Sequence, residues 1–185
     1  IPLARLAQLT ACPFIATQIW RDHTQFGKMH EYVPFLDPAF LEMEFEQKDL
    51  NLRLYKLKNP MPRAYLSFAW KAFGAREDLL AQVYDAEKTK WSPAEYSMLE
   101  SNQNCPDDKL PFPSSAPEVD AIASKATLIE SVAVAESAPE DLSMKFESSK
   151  PCLLVLCDQF YPGWKATLDG ATVPLLRCNG FMRAV

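Results

Sequence analysis

The chain has 185 residues, of which 48% are hydrophobic and 23% are charged, as in an ordinary globular protein. Its net charge of -5 provides no broad basic field, which argues against nucleic acid or an anionic membrane surface as the main partner. No apolar run approaches the roughly 18 residues needed to span a bilayer, and no signal peptide opens the chain. We therefore expect a folded, soluble chain without a transmembrane segment.

The first 60 residues predict a helix followed by strands. Apolar residues have helical spacing at the start, and Pro13 ends this pattern before the β-branched and aromatic run 14–20, which predicts a buried strand. Leu41, Met43 and Phe45 alternate with three glutamates, and a second alternating run covers 50–54. These two runs predict a hairpin.

Residues 60–101 predict one strand and one or two short helices. Pro60 and Pro62 precede the aromatic-rich run 64–70, which is typical of a strand. A helix should begin at Arg76, because the apolar residues after it share one helical face. The segment 92–95 has the pattern of a capping box and predicts a further helical turn.

Residues 102–122 contain four prolines and few apolar side chains, which is typical of a linker or a long surface loop. Beyond them, strands are predicted at 126–135, 142–147 and 152–157. The predicted organisation is an α+β subdomain at 1–101, a proline-rich linker at 102–122, and an antiparallel β subdomain at 123–185. The fold class is α+β, mainly antiparallel β, with a sandwich-like C-terminal half and a few short helices in the N-terminal half.

Asp169-Gly170 predicts a hairpin with a two-residue type I′ turn, in which both residues need positive φ. This register pairs Leu168 with Ala171 and Ala166 with Val173, and it would place Trp164 opposite Leu175 on the same apolar face. A shift by one residue would mix apolar and polar side chains on each face. A second turn is predicted at Asn179-Gly180.

Candidate catalytic and metal-binding residues are weakly supported. His23 and His30 match neither the helical nor the strand spacing of paired metal ligands, and the five cysteines form no C-x-x-C pair. Glu42, Glu44 and Glu46 alternate with apolar residues, as the solvent-facing side of a strand would. We therefore predict no catalytic residue, no metal and no cofactor in this chain.

Aromatic residues near the C-terminal end raise a binding alternative. Tyr161 and Trp164, with Phe160, have the composition of a sugar-stacking platform, while core and turn packing is the other interpretation. Solvent-facing Tyr161 and Trp164 would favour a carbohydrate-binding module. Burial of both would favour a scaffold.

Residues 153–170 (LLVLCDQFYPGWKATLDG) resemble the signature of bacterial YfhO-type membrane proteins. The likeness continues through 173–177 (VPLLR) and 179–185 (NGFMRAV), and 54–66 (LYKLKNPMPRAYL) is similar to an upstream segment of that family. The motif residues are Arg63, Pro162, Gly163, Asp169, Gly170 and Arg177. Arg63 is expected to be structural, tying down loop carbonyls or a carboxylate at the entry to a sheet.

The resemblance implies a large multi-pass protein similar to the GT-C glycosyltransferases, which use polyprenyl-phosphate sugars outside the cytoplasmic membrane. This chain would be an extracytoplasmic accessory domain whose partner is the remainder of the parent protein, and it would be shortened at its C-terminal end. The family's catalytic region is expected in membrane segments that this chain lacks. The alternatives are a carbohydrate-binding β-sandwich module and a purely structural domain without a ligand.

Overall fold

A computed structural model describes residues 11–21, 29–31, 41–50, 52–58, 60–84, 91–100 and 129–185, with only the backbone described at 17–21, 29–31 and 84. In this part of the chain the fold is mostly β. Its elements are β1 (Phe14–Arg21), β2 (Met29–Glu31), β3 (Leu41–Gln47), β4 (Leu52–Leu57), β5 (Ala64–Ser67), β6 (Trp70–Phe73), α1 (Arg76–Tyr84), β7 (Ser97–Glu100), β8 (Ile129–Val132), β9 (Val134–Ala138), β10 (Asp141–Met144), β11 (Leu153–Gln159), β12 (Ala166–Leu168), β13 (Ala171–Val173), β14 (Leu176–Cys178) and β15 (Met182–Ala184).

The chain divides into two compact units, residues 1–61 and 62–185. The first contains a four-stranded sheet of order β2-β1-β4-β3, and the second contains a seven-stranded sheet of order β6-β7-β14-β15-β11-β5-β8 with two separate ribbons, β9-β10 and β12-β13. This division differs from the predicted boundary at 101/102, because β5, β6 and β7 share one sheet with strands from beyond that boundary. The predicted linker at 102–122 lies outside the described residues.

The expectation of a few short helices in the N-terminal half is not supported, because α1 is the one α-helix in the described residues. The predicted opening helix lies outside that part of the chain. At the predicted capping box, the Ala94 N–H donates to Ser92 Oγ at 3.3 Å and the Ser92 N–H donates to Glu95 at 3.4 Å. Only a turn follows, because the Ser97 N–H is already taken up by the Ala69 carbonyl at 2.9 Å, where β7 begins.

The predicted hairpin of the first unit is present, but the alternation along β3 is interrupted. Met43 pairs with Tyr55, whereas Phe45 pairs with Leu54, so the register shifts between Met43 and Phe45. Such a bulge moves the following side chains to the opposite face. Phe45 therefore leaves the face of Met43.

A small core lies on one face of this sheet. Ile15, Leu41 and Leu57 are buried there, with Tyr55 packed against them. The Leu57 N–H donates to the Pro13 carbonyl at 2.8 Å, which ties the segment before β1 to the end of β4.

The centre of the second unit is β11, which pairs antiparallel with β5 on one side and with β15 on the other. Residues 153–157 are all buried, as expected of a continuous apolar run that is covered on both faces of a sheet. Val155 lies opposite Tyr65 and Ala184, and each of these three residues is at most 2% exposed. This face of the sheet forms the core.

The predicted hairpin at Asp169-Gly170 is confirmed. Ala166 pairs with Val173 and Leu168 with Ala171, and both turn residues have positive φ, 50° at Asp169 and 82° at Gly170. The paired ribbon ends at Ala166 and Val173, so the expected pairing of Trp164 with Leu175 is not part of it. Its apolar face is only partly covered, since Leu168 is 41% exposed.

Candidate functional site: an aromatic groove beside an arginine network

The second face of the central sheet is charged where the core face is apolar. Along β11, Leu154 and Leu156 alternate with the core residues, because successive side chains of a strand point to opposite faces. The register shifts between Leu156 and Gln159, and Asp158 lies in this irregular stretch. Arg183 on β15 lies opposite Leu156, and Arg177 on β14 lies opposite Arg183. Two arginines on neighbouring strands therefore share this face, and each needs its own counter-charge.

Asp158 binds two arginines. Its Oδ1 accepts from Arg63 Nε at 3.1 Å, and its Oδ2 accepts from Arg63 Nη2 at 2.9 Å and from Arg183 Nη2 at 3.0 Å. Glu136 adds a contact of 2.7 Å to Arg63 Nη2. The hydrogen bonds that Arg63 donates to Asp158 and, to a smaller degree, to Glu136 raise the pKa of Arg63, so this guanidinium is firmly charged. Arg63 thus has the carboxylate partners expected of a structural residue.

Arg183 is stacked against Trp164. Its side chain is 8% exposed, and its Cζ lies 4.2 Å from the centroid of the Trp164 ring. Burial lowers the pKa of Arg183, an effect opposed by the charge of Asp158. The buried Nε has no hydrogen-bond partner among the described atoms. Attraction between the guanidinium and the indole ring offsets part of that cost.

A second carboxylate, Glu100, serves the neighbouring strand. It is 8% exposed, its Oε1 accepts from Arg76 Nη1 at 2.5 Å, and its Oε2 accepts from Arg177 Nη1 at 2.9 Å. Arg177 also places its Cζ 4.7 Å from the centroid of the Phe160 ring. Arg177 and Arg183 are therefore matched, each with one carboxylate and one aromatic ring.

Beside this network lies an open groove of about 1240 Å³. Leu154, Leu156 and Arg183 of the central sheet line it, together with residues of the two ribbons and of the loop that follows β11. Tyr161 and Trp164 of that loop both face the groove. Tyr161 is 66% exposed, while Trp164 is half-buried.

The loop that carries these rings contains the Pro162-Gly163 turn of the sequence motif. Gly163 has a φ of +106°, and nothing lies within 4 Å of the position that a Cβ would take. Backbone conformation therefore requires glycine there, while space does not.

Asn179 is a structural anchor at the second predicted turn. Its φ is +49°, its Oδ1 accepts from the Met98 N–H at 2.8 Å, and its Nδ2 donates to Tyr65 Oη at 3.1 Å. Burial raises the pKa of Tyr65 well above its ordinary value. The turn therefore links β7, β5 and β14 within the core.

The sequence pointed to Arg63, Arg177, Tyr161 and Trp164, and the structure brings these residues to the same side of the second unit's sheet and its adjoining loop. Asp158, Arg183 and Glu100 were missed. A signal for Asp158 exists, since it ends the apolar run of β11 with a carboxylate. Nothing local in the sequence marks Glu100 or Arg183, because their partners lie far along the chain.

The other candidates of the sequence analysis form no site in the described residues. His23 lies outside them, and only the backbone of His30 is described. Glu46 binds Arg53 at 2.7 Å. The bulge after Met43 places Glu46 and Glu42 on opposite faces of β3, so the two glutamates do not share the single solvent-facing side expected from the sequence. Within the described residues, no group of three or more His, Cys, Asp or Glu is placed to hold a metal ion.

In comparisons with family models, curated proteins and solved structures, the chain matches none. Where the structure is described, its helix is too short to cross a membrane.

Proposed function

We propose that this chain is an extracytoplasmic accessory domain of a bacterial multi-pass membrane protein of the YfhO type, similar to GT-C glycosyltransferases. Its partner is the remainder of that parent protein on the outer side of the cytoplasmic membrane. Support comes from the likeness of residues 153–170, 173–177 and 179–185 to the family signature. The C-terminal half is proposed to be sandwich-like, with the two ribbons layered on the charged face of the central sheet.

The observation that carries the accessory role is the pairing of the central carboxylates with arginine. Both oxygens of Asp158 and both oxygens of Glu100 accept from guanidinium groups. A general base or nucleophile needs an oxygen directed at the substrate within hydrogen-bond reach. These two carboxylates are instead used to hold arginines in place.

Incubation with polyprenyl-phosphate sugars and candidate acceptors, with and without a divalent metal, tests this role. The purified chain should give no product above a buffer blank. Turnover that disappears in Asp158→Asn or Glu100→Gln would overturn the proposal, provided that both variants keep the circular dichroism spectrum of the unmodified chain.

A second candidate function is saccharide binding, in which the domain holds a sugar chain without reacting with it. The observation that favours it is the exposure of Tyr161, 66%, at the rim of a groove that Trp164 also lines. A purely structural domain would have less reason to expose this ring.

A further inference from the structure

We propose that Tyr161 and Trp164 form a stacking site for an uncharged saccharide chain, and that Arg183 is the positioning residue that fixes the Trp164 ring. This inference rests on the second candidate function and deepens it.

The charges around the groove favour an uncharged ligand. Four acidic residues line it, among them Asp141 and Glu147, and four basic residues line it, among them Lys145 and Lys165. The lining therefore has no surplus of cations, since one of its four basic residues, Arg183, is already paired with Asp158, which does not line the groove. A polyanion would need a surplus of unpaired cationic side chains. The hydroxyl groups of a sugar are uncharged, and they can donate hydrogen bonds to carboxylates and accept them from ammonium and guanidinium groups.

The two aromatic side chains suit a flat, ring-shaped ligand with apolar faces. The guanidinium of Arg183 covers one face of the Trp164 indole at 4.2 Å, so a ligand can stack only on the other face. Sugar rings present C–H groups on their faces and hydroxyls at their edges. An aromatic ring bordered by polar side chains matches both features.

The size of the groove favours several sugar units over a single one. Its volume of about 1240 Å³ exceeds the roughly 300–1,000 Å³ that holds a drug-sized ligand. It is also open, with Tyr161 near its rim. A chain lying along the groove would pass both rings, since both line it.

The position of Trp164 depends on a relay of charged contacts. Asp158 holds Arg183 at 3.0 Å and is itself held by Arg63 at 2.9 Å. A planar guanidinium can stack on the indole and donate to Asp158 together, whereas the ammonium of a lysine lacks that flat surface. Arg183→Lys should therefore release the ring while keeping the charge.

The ligand is tested by affinity electrophoresis in gels that contain glucomannan, xylan or dextran, with polygalacturonate as the acidic comparison. The unmodified chain should be retarded by at least one neutral polymer. Trp164→Ala and Tyr161→Ala should each raise the dissociation constant by about ten-fold or more, equivalent to about 1.4 kcal/mol. Phe45→Ala is the matched control, since Phe45 is 50% exposed and lies outside the groove lining.

The positioning role is tested with Arg183→Lys against Arg177→Lys, because Arg177 stacks in the same way on Phe160, which does not line the groove. Arg183→Lys should weaken retardation about ten-fold and change the near-ultraviolet circular dichroism of tryptophan. Arg177→Lys should change neither. Arg63→Lys, at the exposed end of the relay, is the milder variant if Arg183→Lys does not fold, and it should weaken retardation to a smaller degree.

Each outcome is decisive. Retardation that survives Trp164→Ala and Tyr161→Ala would overturn this site while leaving saccharide binding in place. Retardation by polygalacturonate alone would overturn the uncharged ligand. The positioning role would be overturned if Arg183→Lys and Arg177→Lys weakened retardation equally. Where Arg63→Lys is used in place of Arg183→Lys, an unchanged affinity in Arg63→Lys would overturn it. Retardation by none of the polymers would overturn both this inference and the second candidate function.

Discussion

Asp158 is the carboxylate on which the charged face of the central sheet depends. It holds Arg183, whose side chain is 8% exposed, and it holds Arg63, which also has Glu136. Removal of a charge from a buried pair leaves the partner desolvated and uncompensated, whereas an exposed pair contributes little. The two carboxylates that bind Arg63 should therefore differ in their contribution to stability.

We expect Asp158→Asn to lower the free energy of unfolding by about 3 kcal/mol, the lower end of the range for a broken buried pair. Glu136→Gln should cost about 1 kcal/mol or less, because both members of its pair are more than 40% exposed. Urea unfolding at pH 7 measures both values. Equal losses in the two variants would contradict the central place given to Asp158.

The buried thiols make stability depend on alkaline pH. Burial raises the pKa of Cys157 and of Cys178 from 9.0 to about 12. Above pH 9 the unfolded chain releases these protons while the folded chain keeps them, so the free energy of unfolding falls as pH rises from 9 to 12. Tyr65, whose pKa is also raised by burial, adds to this loss.

We expect a slope of about 1.4 kcal/mol per pH unit for each buried thiol in this window. Unfolding by urea at pH 8, 9, 10 and 11 measures it. Cys178→Ala should make the slope shallower, and Cys12→Ala, at an exposed thiol, should leave it unchanged. A flat profile in the parent chain would show that the thiols are not buried as described.

At the scale of the elements, three glycines make different demands on the turns. Gly170 has a φ of +82° with open space around it, and Gly180 has a φ of +88° with a Cβ position only 3.2 Å from a methyl carbon of Leu80. Gly74 has neither a positive φ nor a close neighbour. Alanine should therefore be increasingly costly from Gly74 to Gly170 to Gly180.

Gly170→Ala should cost about 1–2 kcal/mol from the left-handed backbone alone. Gly180→Ala should cost about 3 kcal/mol, since crowding against α1 is added. The free energy of unfolding of Gly74→Ala should stay within about 0.5 kcal/mol of that of the unmodified chain. Guanidinium unfolding of the three variants gives the order, and a Gly170→Ala loss as large as that of Gly180→Ala would argue against the crowding at α1.

Some features of the fold have a local signal in the sequence, and others do not. The Asp169-Gly170 register was predictable because turn chemistry and the apolar pattern select the same pairing. The bulge after Met43 was not, because an extra residue in one strand leaves no mark in an alternating sequence. The prediction of a helical turn at Ser92 was wrong, because the pairing of β7 prevents the helix that the local capping pattern favours.

The arginine network was not predictable for a related reason. Arg63 and Asp158 are 95 positions apart, and Arg177 and Glu100 are 77 apart. Such pairs appear only when the strand order is known. The sequence alone identified three of the groove's features, namely Tyr161, Trp164 and the hairpin, because these lie within one short segment.

At the scale of the whole molecule, the division into units 1–61 and 62–185 predicts which fragments fold. The seven-stranded sheet and its buried core lie entirely within 62–185. That fragment alone should unfold cooperatively in urea and give a dispersed amide spectrum by nuclear magnetic resonance.

A cut at the boundary predicted from sequence gives the contrast. Fragments 1–101 and 123–185 would separate β5 and β7 from their neighbours β11 and β14. We expect neither fragment to show the cooperative unfolding transition of the seven-stranded sheet. If fragment 123–185 folded and fragment 62–185 did not, the assignment of the second unit to residues 62–185 would be wrong.

The strand order also sets the time at which this unit can fold during synthesis. β15, the last strand in the described residues, lies between β14 and β11 in the middle of the sheet, and Pro62 contacts Cys157, 95 positions later. On the ribosome, β5 and β7 leave the exit tunnel long before their neighbours β11 and β14 exist. Their apolar residues must wait in water for the final hairpin, a period in which unpaired strands associate with other chains. Newly made chains should therefore need a holding chaperone until the segment after Leu176 has emerged.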